Sequence, residues 1–346
     1  MFWDMSFSRR TSGRCERPKG AKNLSSRLSI STQKRETSPL AFKLAAQNEM
    51  QYLSMILITG AAGKTGQAII QALAKSGEPI RALVHHPDQI VRLEMFGVDN
   101  VLVGDMLDPN SLARAVQGIR SIYHIAPNVS PDEAVIGKMI VSAARSANVE
   151  RFVFHSVLRP QIEAMPHHWQ KLRVEELLFN SGLSFTVIQP TIYMQNVLAH
   201  WERIIKDGIY PVPYAPETCL SMVDLDDVAQ VAAAVLTEPG HSAATYELVG
   251  TLALSQTDIA ETLSEQLDRP VIVKVVPLDE WERNARASGL SDYQVLTLIE
   301  MFCYYERYGL EGNSNVLSYL LQRQPTSFAD FVRRIASERE HDSRAN

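Results

Sequence analysis

Gly60, Gly63 and Gly66 stand three residues apart directly after the apolar run Met55-Ile-Leu-Ile58, and residues 67–75 beyond them have helical apolar spacing. The missing side chains permit a tight turn and close approach of a diphosphate, and the N–H groups and dipole of the helix start attract its charge. The candidate pyrophosphate set is Gly60, Ala62, Gly63, Lys64, Thr65 and Gly66, serving a dinucleotide. A nucleoside-triphosphate loop ending in Gly63-Lys64-Thr65 would need a further glycine at position 58, where Ile58 stands.

Ser156, His167 and Lys171 form a second constellation. Ser156 ends the apolar stretch 151–155. His167 and Lys171 are four residues apart in a segment opened by Pro166, which suits a first helical turn, so their side chains share a helix face. An imidazole titrating near neutrality could donate a proton from His167 or His168. The plainer alternative is solvated polar residues on an amphipathic helix. Cys15, Cys219 and Cys303 are scattered without metal spacing, so no metal and no disulfide framework is expected.

Positioning these groups requires strands alternating with helices. Strands are expected at 79–84, 101–103, 121–125, 151–155 and 184–189, with helices at 89–96, 110–116, 132–146 and from 166, a parallel α/β sheet wound on both faces. Ligands then lie beyond the strand C-termini, at Asp105, Ala126-Pro127 and Ser156. Asp105 could accept from an adenine amino group or cap the next turn. Pro190 follows the sixth strand and could turn the chain toward the ligand or simply end the strand. The second strand ends in His85-His86, with no carboxylate to repel a 2′-phosphate, which favours NADP and leaves NAD open.

The stretches Thr59-Gly-Ala-Ala-Gly-Lys-Thr-Gly66, Val103-Gly-Asp-Met-Leu-Asp108, Arg151-Phe-Val-Phe-His-Ser156, Gln189-Pro-Thr-Ile-Tyr-Met-Gln-Asn196 and Asp224-Leu-Asp-Asp-Val-Ala229 resemble the NmrA-like family of atypical short-chain dehydrogenases/reductases. The resemblance covers residues 55–283. It implies a doubly wound, Rossmann-like sheet, NAD(P) across the glycine turn, and a small C-terminal α/β subdomain over a cleft. It further implies either an NAD(P)H-dependent reductase of quinones or similar small acceptors, or a non-catalytic dinucleotide sensor with a protein partner. In the wider superfamily a Ser at a strand end works with a Tyr-x-x-x-Lys pair; Ser156 matches the Ser and Lys171 the Lys, and the resemblance implies that Lys171 holds the nicotinamide ribose. Two departures stand out: the Tyr of that pair is His167 here, and an Arg frequent in the family is His85. A quinone tolerates loss of the Tyr, because water can protonate its resonance-stabilised reduced anion.

The expected organisation is a disordered extension over 1–50, a cofactor-binding half over 55–190 and a covering segment over 191–338 within a domain of 51–338. In the covering segment, helices are expected at 193–205, 224–236, 257–267 and 327–335, with Ser255 capping the third and the charged tail after 338 fraying. The stretch 278–310 is expected to be helical, and its aromatic residues (Trp281, Tyr293, Phe302, Tyr304, Tyr305, Tyr308) could form a lid for a flat acceptor. Residues 1–50 hold ten Lys/Arg and four Asp/Glu, +6 of a total of −5, which leaves −11 on the body and argues against a nucleic-acid surface. No apolar run is long enough to span a membrane. A cytoplasmic location is expected; the alternatives for the basic extension are an organellar transit peptide, a dispensable tail or an early start codon, since Met50 and Met55 precede the first strand.

Overall fold

The structure, a computed structural model, describes residues 55–345, with side chains as far as 339; the expectations for residues 1–50 lie outside them. Among the described residues eleven strands run in chain order: β1 (Met55–Ile58), β2 (Ile80–Val84), β3 (Asn100–Val103), β4 (Ile119–His124), β5 (Arg151–His155), β6 (Phe185–Pro190), β7 (Ile192–Tyr193), β8 (Ile209–Val212), β9 (Met222–Val223), β10 (Ala244–Leu248) and β11 (Ile272–Val275). Seven form one parallel sheet in the order β10-β6-β5-β4-β1-β2-β3. The order reverses between β1 and β4, and this opens a crevice at the strand C-termini.

Alternation along β1 divides the core. Ile56 and Ile58 pack with Ile69, Ile70, Leu73 and the buried face of helix Leu225–Thr237, whereas Leu57 joins Phe152, Phe154, Ile140, Val174 and Leu178 on the other face. Each such side chain, fully buried, contributes about 1.5–3 kcal/mol. Helices Glu133–Ser146 and Pro166–Phe179 cover the second face, and they meet at Gly137, where an added Cβ would lie 2.5 Å from Val174 Cγ2.

The sequence reading holds through the sheet and loosens beyond it. Tyr193, expected in a helix, lies in β7, and a 3-10 helix, Met194–His200, intervenes before helix Trp201–Asp207. The stretch expected to be helical from 278 to 310 is two helices, Leu278–Ala287 and Asp292–Tyr308, separated by Gly289 at φ +93° and a Ser291 capping box. Ser255 does cap the helix Gln256–Gln266 through a capping box with Asp258. Only β10 rejoins the main sheet; β11 pairs with β8 and β9 with β7 in two small sheets. The helix Asn315–Leu321 was not expected, and the last helix, Phe328–Ala345, runs past 338, where fraying was expected. Among the described residues, no helix is long and apolar enough to cross a membrane.

Candidate active site

One cleft of about 1270 Å³ runs along the C-terminal ends of the strands and under the covering segment. It brings together every residue singled out as a site candidate: the loop Gly60, Ala62, Gly63, Lys64, Thr65 and Gly66; His85, Asp105 and Ala126; and Ser156, His167, Lys171 and Pro190.

The glycine loop fits a diphosphate. Gly60 adopts φ +60°, and a Cβ at Gly66 would stand 2.5 Å from Gly60 O and 2.7 Å from Ala61 Cα, so the turn closes only without side chains. Helix Lys64–Ala74 begins at Gly63 with no side-chain cap and no acidic residue in its first turn. Its leading N–H groups are thus left to an anionic ligand.

At the far end of β2, the backbone N–H groups of His85 and His86 donate to Gln89 Oε1 at 3.1 Å each, which shapes an exposed turn with two imidazoles beside it. Asp105 Oδ1 accepts from Leu107 N at 2.8 Å, the capping alternative, with its other oxygen uncommitted to that bond. Pro190 closes β6 without breaking it: its carbonyl accepts from Leu158 N at 2.8 Å, and β7 continues two residues later.

Lys171 stands at the centre of the site. Its Nζ lies 2.6 Å from Glu133 Oε1 and 3.4 Å from the carbonyl of His155, over the ring of Phe154. Glu133 is 1% exposed. Four histidines surround this ammonium. Burial, then neighbouring charge including that of Lys171, pushes His124, His155 and His167 down to about 3, and burial takes His168 down to about 4. All four are neutral at pH 7, so His167 can offer a ring N–H but not an imidazolium proton. This removes the near-neutral titration that made it a candidate acid. His167 Nδ1, His168 Nε2 and His124 Nε2 are buried without a partner.

Ser156 is buried and donates its hydroxyl hydrogen to Glu175, which also accepts from Gln189 Nε2 at 2.8 Å. Burial raises Glu175 against these hydrogen bonds. The Ser156 oxygen is left to accept, for instance from a carboxamide N–H, rather than to donate. His155 bridges two phenols, Tyr123 through Nδ1 and Tyr193 through Nε2, both at 2.6 Å, and Tyr193 in turn hydrogen-bonds the Thr65 side chain at the glycine loop.

The other end of the cleft is aromatic. Trp281 meets Phe302 edge to face at 4.8 Å, and Tyr214 lies 6.0 Å from Phe302 and 6.5 Å from Tyr305. Of the six aromatic residues expected in a lid, Trp281, Phe302 and Tyr305 line the cleft, whereas Tyr293, Tyr304 and Tyr308 do not. Sequence reasoning missed Glu133, His155, Tyr193 and Tyr214. The strand-end rule could have found His155, but nothing local marked the other three. Among the described residues no His, Cys, Asp and Glu cluster could hold a metal ion.

The family model described as NmrA-like family matches residues 53–332. An NAD(P)H azoreductase of Xenophilus azovorans is 28% identical over 284 residues, 81% of this chain and 97% of that protein. Quinone oxidoreductase 2 of Escherichia coli is 26% identical over 280 residues, 80% of this chain and 97% of its own. A crystal structure of that oxidoreductase complexed with NADPH superposes with a TM-score of 0.71, covering 81% of this chain and 99% of that one. With a glycine cradle, a strand-end cleft and a family match spanning nearly all of the described residues, the chain belongs to the NmrA-like family.

Proposed function

We propose that the protein is an NAD(P)H-dependent oxidoreductase that reduces a small quinone-like acceptor. The carrying observation is continuity: the glycine cradle and the aromatic chamber are two ends of one cleft, with Lys171 between them. The azoreductase and quinone oxidoreductase relatives support the same reading. The loop 60–66 would hold the pyrophosphate, with Lys64, His85 and His86 beside the adenosine and Asp105 at the adenine. Lys171 would hold the nicotinamide ribose, and the Ser156 oxygen would accept from the carboxamide. Bound there, the reduced nicotinamide supplies a hydride. NADP is favoured over NAD because only basic or neutral side chains stand at His85-His86.

The chain provides orientation rather than a strong acid. His167 is neutral, so protonation falls to water, which suffices for a quinone whose reduced anion is resonance-stabilised. Free Cys219 and Cys303 suit a reducing compartment such as the cytoplasm.

The test is oxidation of NADPH and NADH by purified protein across a panel of quinones, followed at the nicotinamide absorbance. Turnover lost in Lys171→Ala and in Gly63→Val supports the reductase. Tight dinucleotide binding with no oxidation by any acceptor replaces it with a dinucleotide sensor that binds a protein partner.

A further inference from the structure

The covering segment sorts its charges away from the cleft. Residues 191–338 contribute no Asp, Glu, Lys or Arg to the wall, although the same helices carry many. On helix Asp292–Tyr308, Leu298, Met301, Phe302 and Tyr305 face the cleft while Glu306 and Arg307 are exposed elsewhere. On helix Leu278–Ala287, Trp281 faces it while Asp279 and Arg283 pair on the outer surface at 2.8 Å. Two polar side chains that reach the chamber are already paired, since Tyr210 donates to Gln256 Oε1 and Gln256 Nε2 donates to Thr218 O; the Tyr214 and Tyr305 hydroxyls are neutral donors of the wall. The histidine contributed by this segment, His200, is held below its ordinary range by burial and by Arg203.

The charged groups of the cleft, Lys64, Asp105, Asp132 and Lys171, all stand on the cofactor-binding half. Resting on the reductase reading above, we propose that the acceptor is an uncharged, flat, lipophilic quinone, and that the chamber excludes anionic quinones because the covering segment offers an anionic substituent no opposite charge. The aromatic edges of Trp281, Phe302, Tyr214 and Tyr305 form a surface matched to a planar ring. An ionised sulfonate among them would lose its water and gain no opposite charge in exchange. One hydride from the reduced dinucleotide and one proton from water convert the quinone to its hydroquinone and leave the dinucleotide oxidised.

The experiment compares 1,2-naphthoquinone with its 4-sulfonate on the full chain. The sulfonate withdraws electrons and makes the ring a better hydride acceptor in solution, so slower enzymatic reduction reports the site. The expected kcat/KM for the sulfonate is about 100-fold lower. In protein loaded with NADP, the neutral quinone alone should quench the fluorescence that is lost in Trp281→Phe. Met301→Lys puts an ammonium in the wall and should raise kcat/KM for the sulfonate about 10-fold; Leu298→Lys does the same one helical turn away if the first variant fails to fold. Equal kcat/KM for both quinones overturns the exclusion and leaves the reductase standing. Selective quenching without reduction of either quinone overturns the reductase and leaves the binding preference standing. Absence of both signals overturns both.

Discussion

Lys171 Nζ and Glu133 Oε1 lie 2.6 Å apart, an ion pair that ties the first residue of one helix to the second turn of another on the floor of the cleft. The carboxylate is 1% exposed, so the pair holds the ammonium where a ribose would sit and loses water to do so. Glu133 is a positioning residue. Glu133→Gln keeps the shape and removes the charge; it should destabilise the fold by about 3 kcal/mol, measured by denaturant unfolding, and weaken dinucleotide binding about 10-fold by calorimetry. An unchanged dinucleotide affinity would assign the pair to stability alone.

Packing at Gly137 controls the same pair from four residues away. Gly137→Ala forces its methyl into Val174 and separates the two helices. A stability loss of about 1–3 kcal/mol is expected, with weaker dinucleotide binding. Val174→Ala, which makes room, should recover part of both in the double variant.

In the cradle, Gly66→Ala places a Cβ against Gly60 O and Ala61. Displacing that turn should reduce NADPH affinity at least about 100-fold, because the diphosphate loses both its close approach and the helix N–H groups. Circular dichroism should remain native, since the change is local.

At the end of β2, His85→Arg supplies a fixed positive fork where an imidazole stands. The NADPH-over-NADH preference should rise about 10-fold. An unchanged ratio would place the 2′-phosphate elsewhere.

Acid stability follows from the histidines. His124, His155 and His167 titrate near 3 in the folded chain and near 6.5 when unfolded, so between these values the unfolded chain binds more protons. Their contribution is complete above pH 6.5 and is lost as pH falls toward 3. Unfolding free energy should therefore drop between pH 7 and pH 5, and less steeply in His167→Gln, which removes one of the titrating groups. The rate at saturating substrate should show no inflection near pH 6.5 from these histidines.

Much of this was written locally. The strand-turn-helix signal at 55–75 is carried by neighbours in sequence, as is the Ser255 cap, and both stand where expected. Tyr193 was misplaced because its apolar spacing suits a helix, while pairing of Ile192 and Tyr193 with Met222 and Val223 draws it into a strand. The helical stretch expected over 278–310 is helical on both sides of a break at Gly289, whose positive φ ends one helix before Ser291 caps the next.

By itself the sequence determined the diphosphate cradle and the alternating sheet, because glycine spacing and apolar period act within a few residues. Tertiary structure alone decided that Lys171 meets Glu133, that the surrounding imidazoles are neutral, and that the covering segment puts no Asp, Glu, Lys or Arg into the cleft wall. Each of those is a property of groups far apart in the chain, set by which faces the packed helices bury.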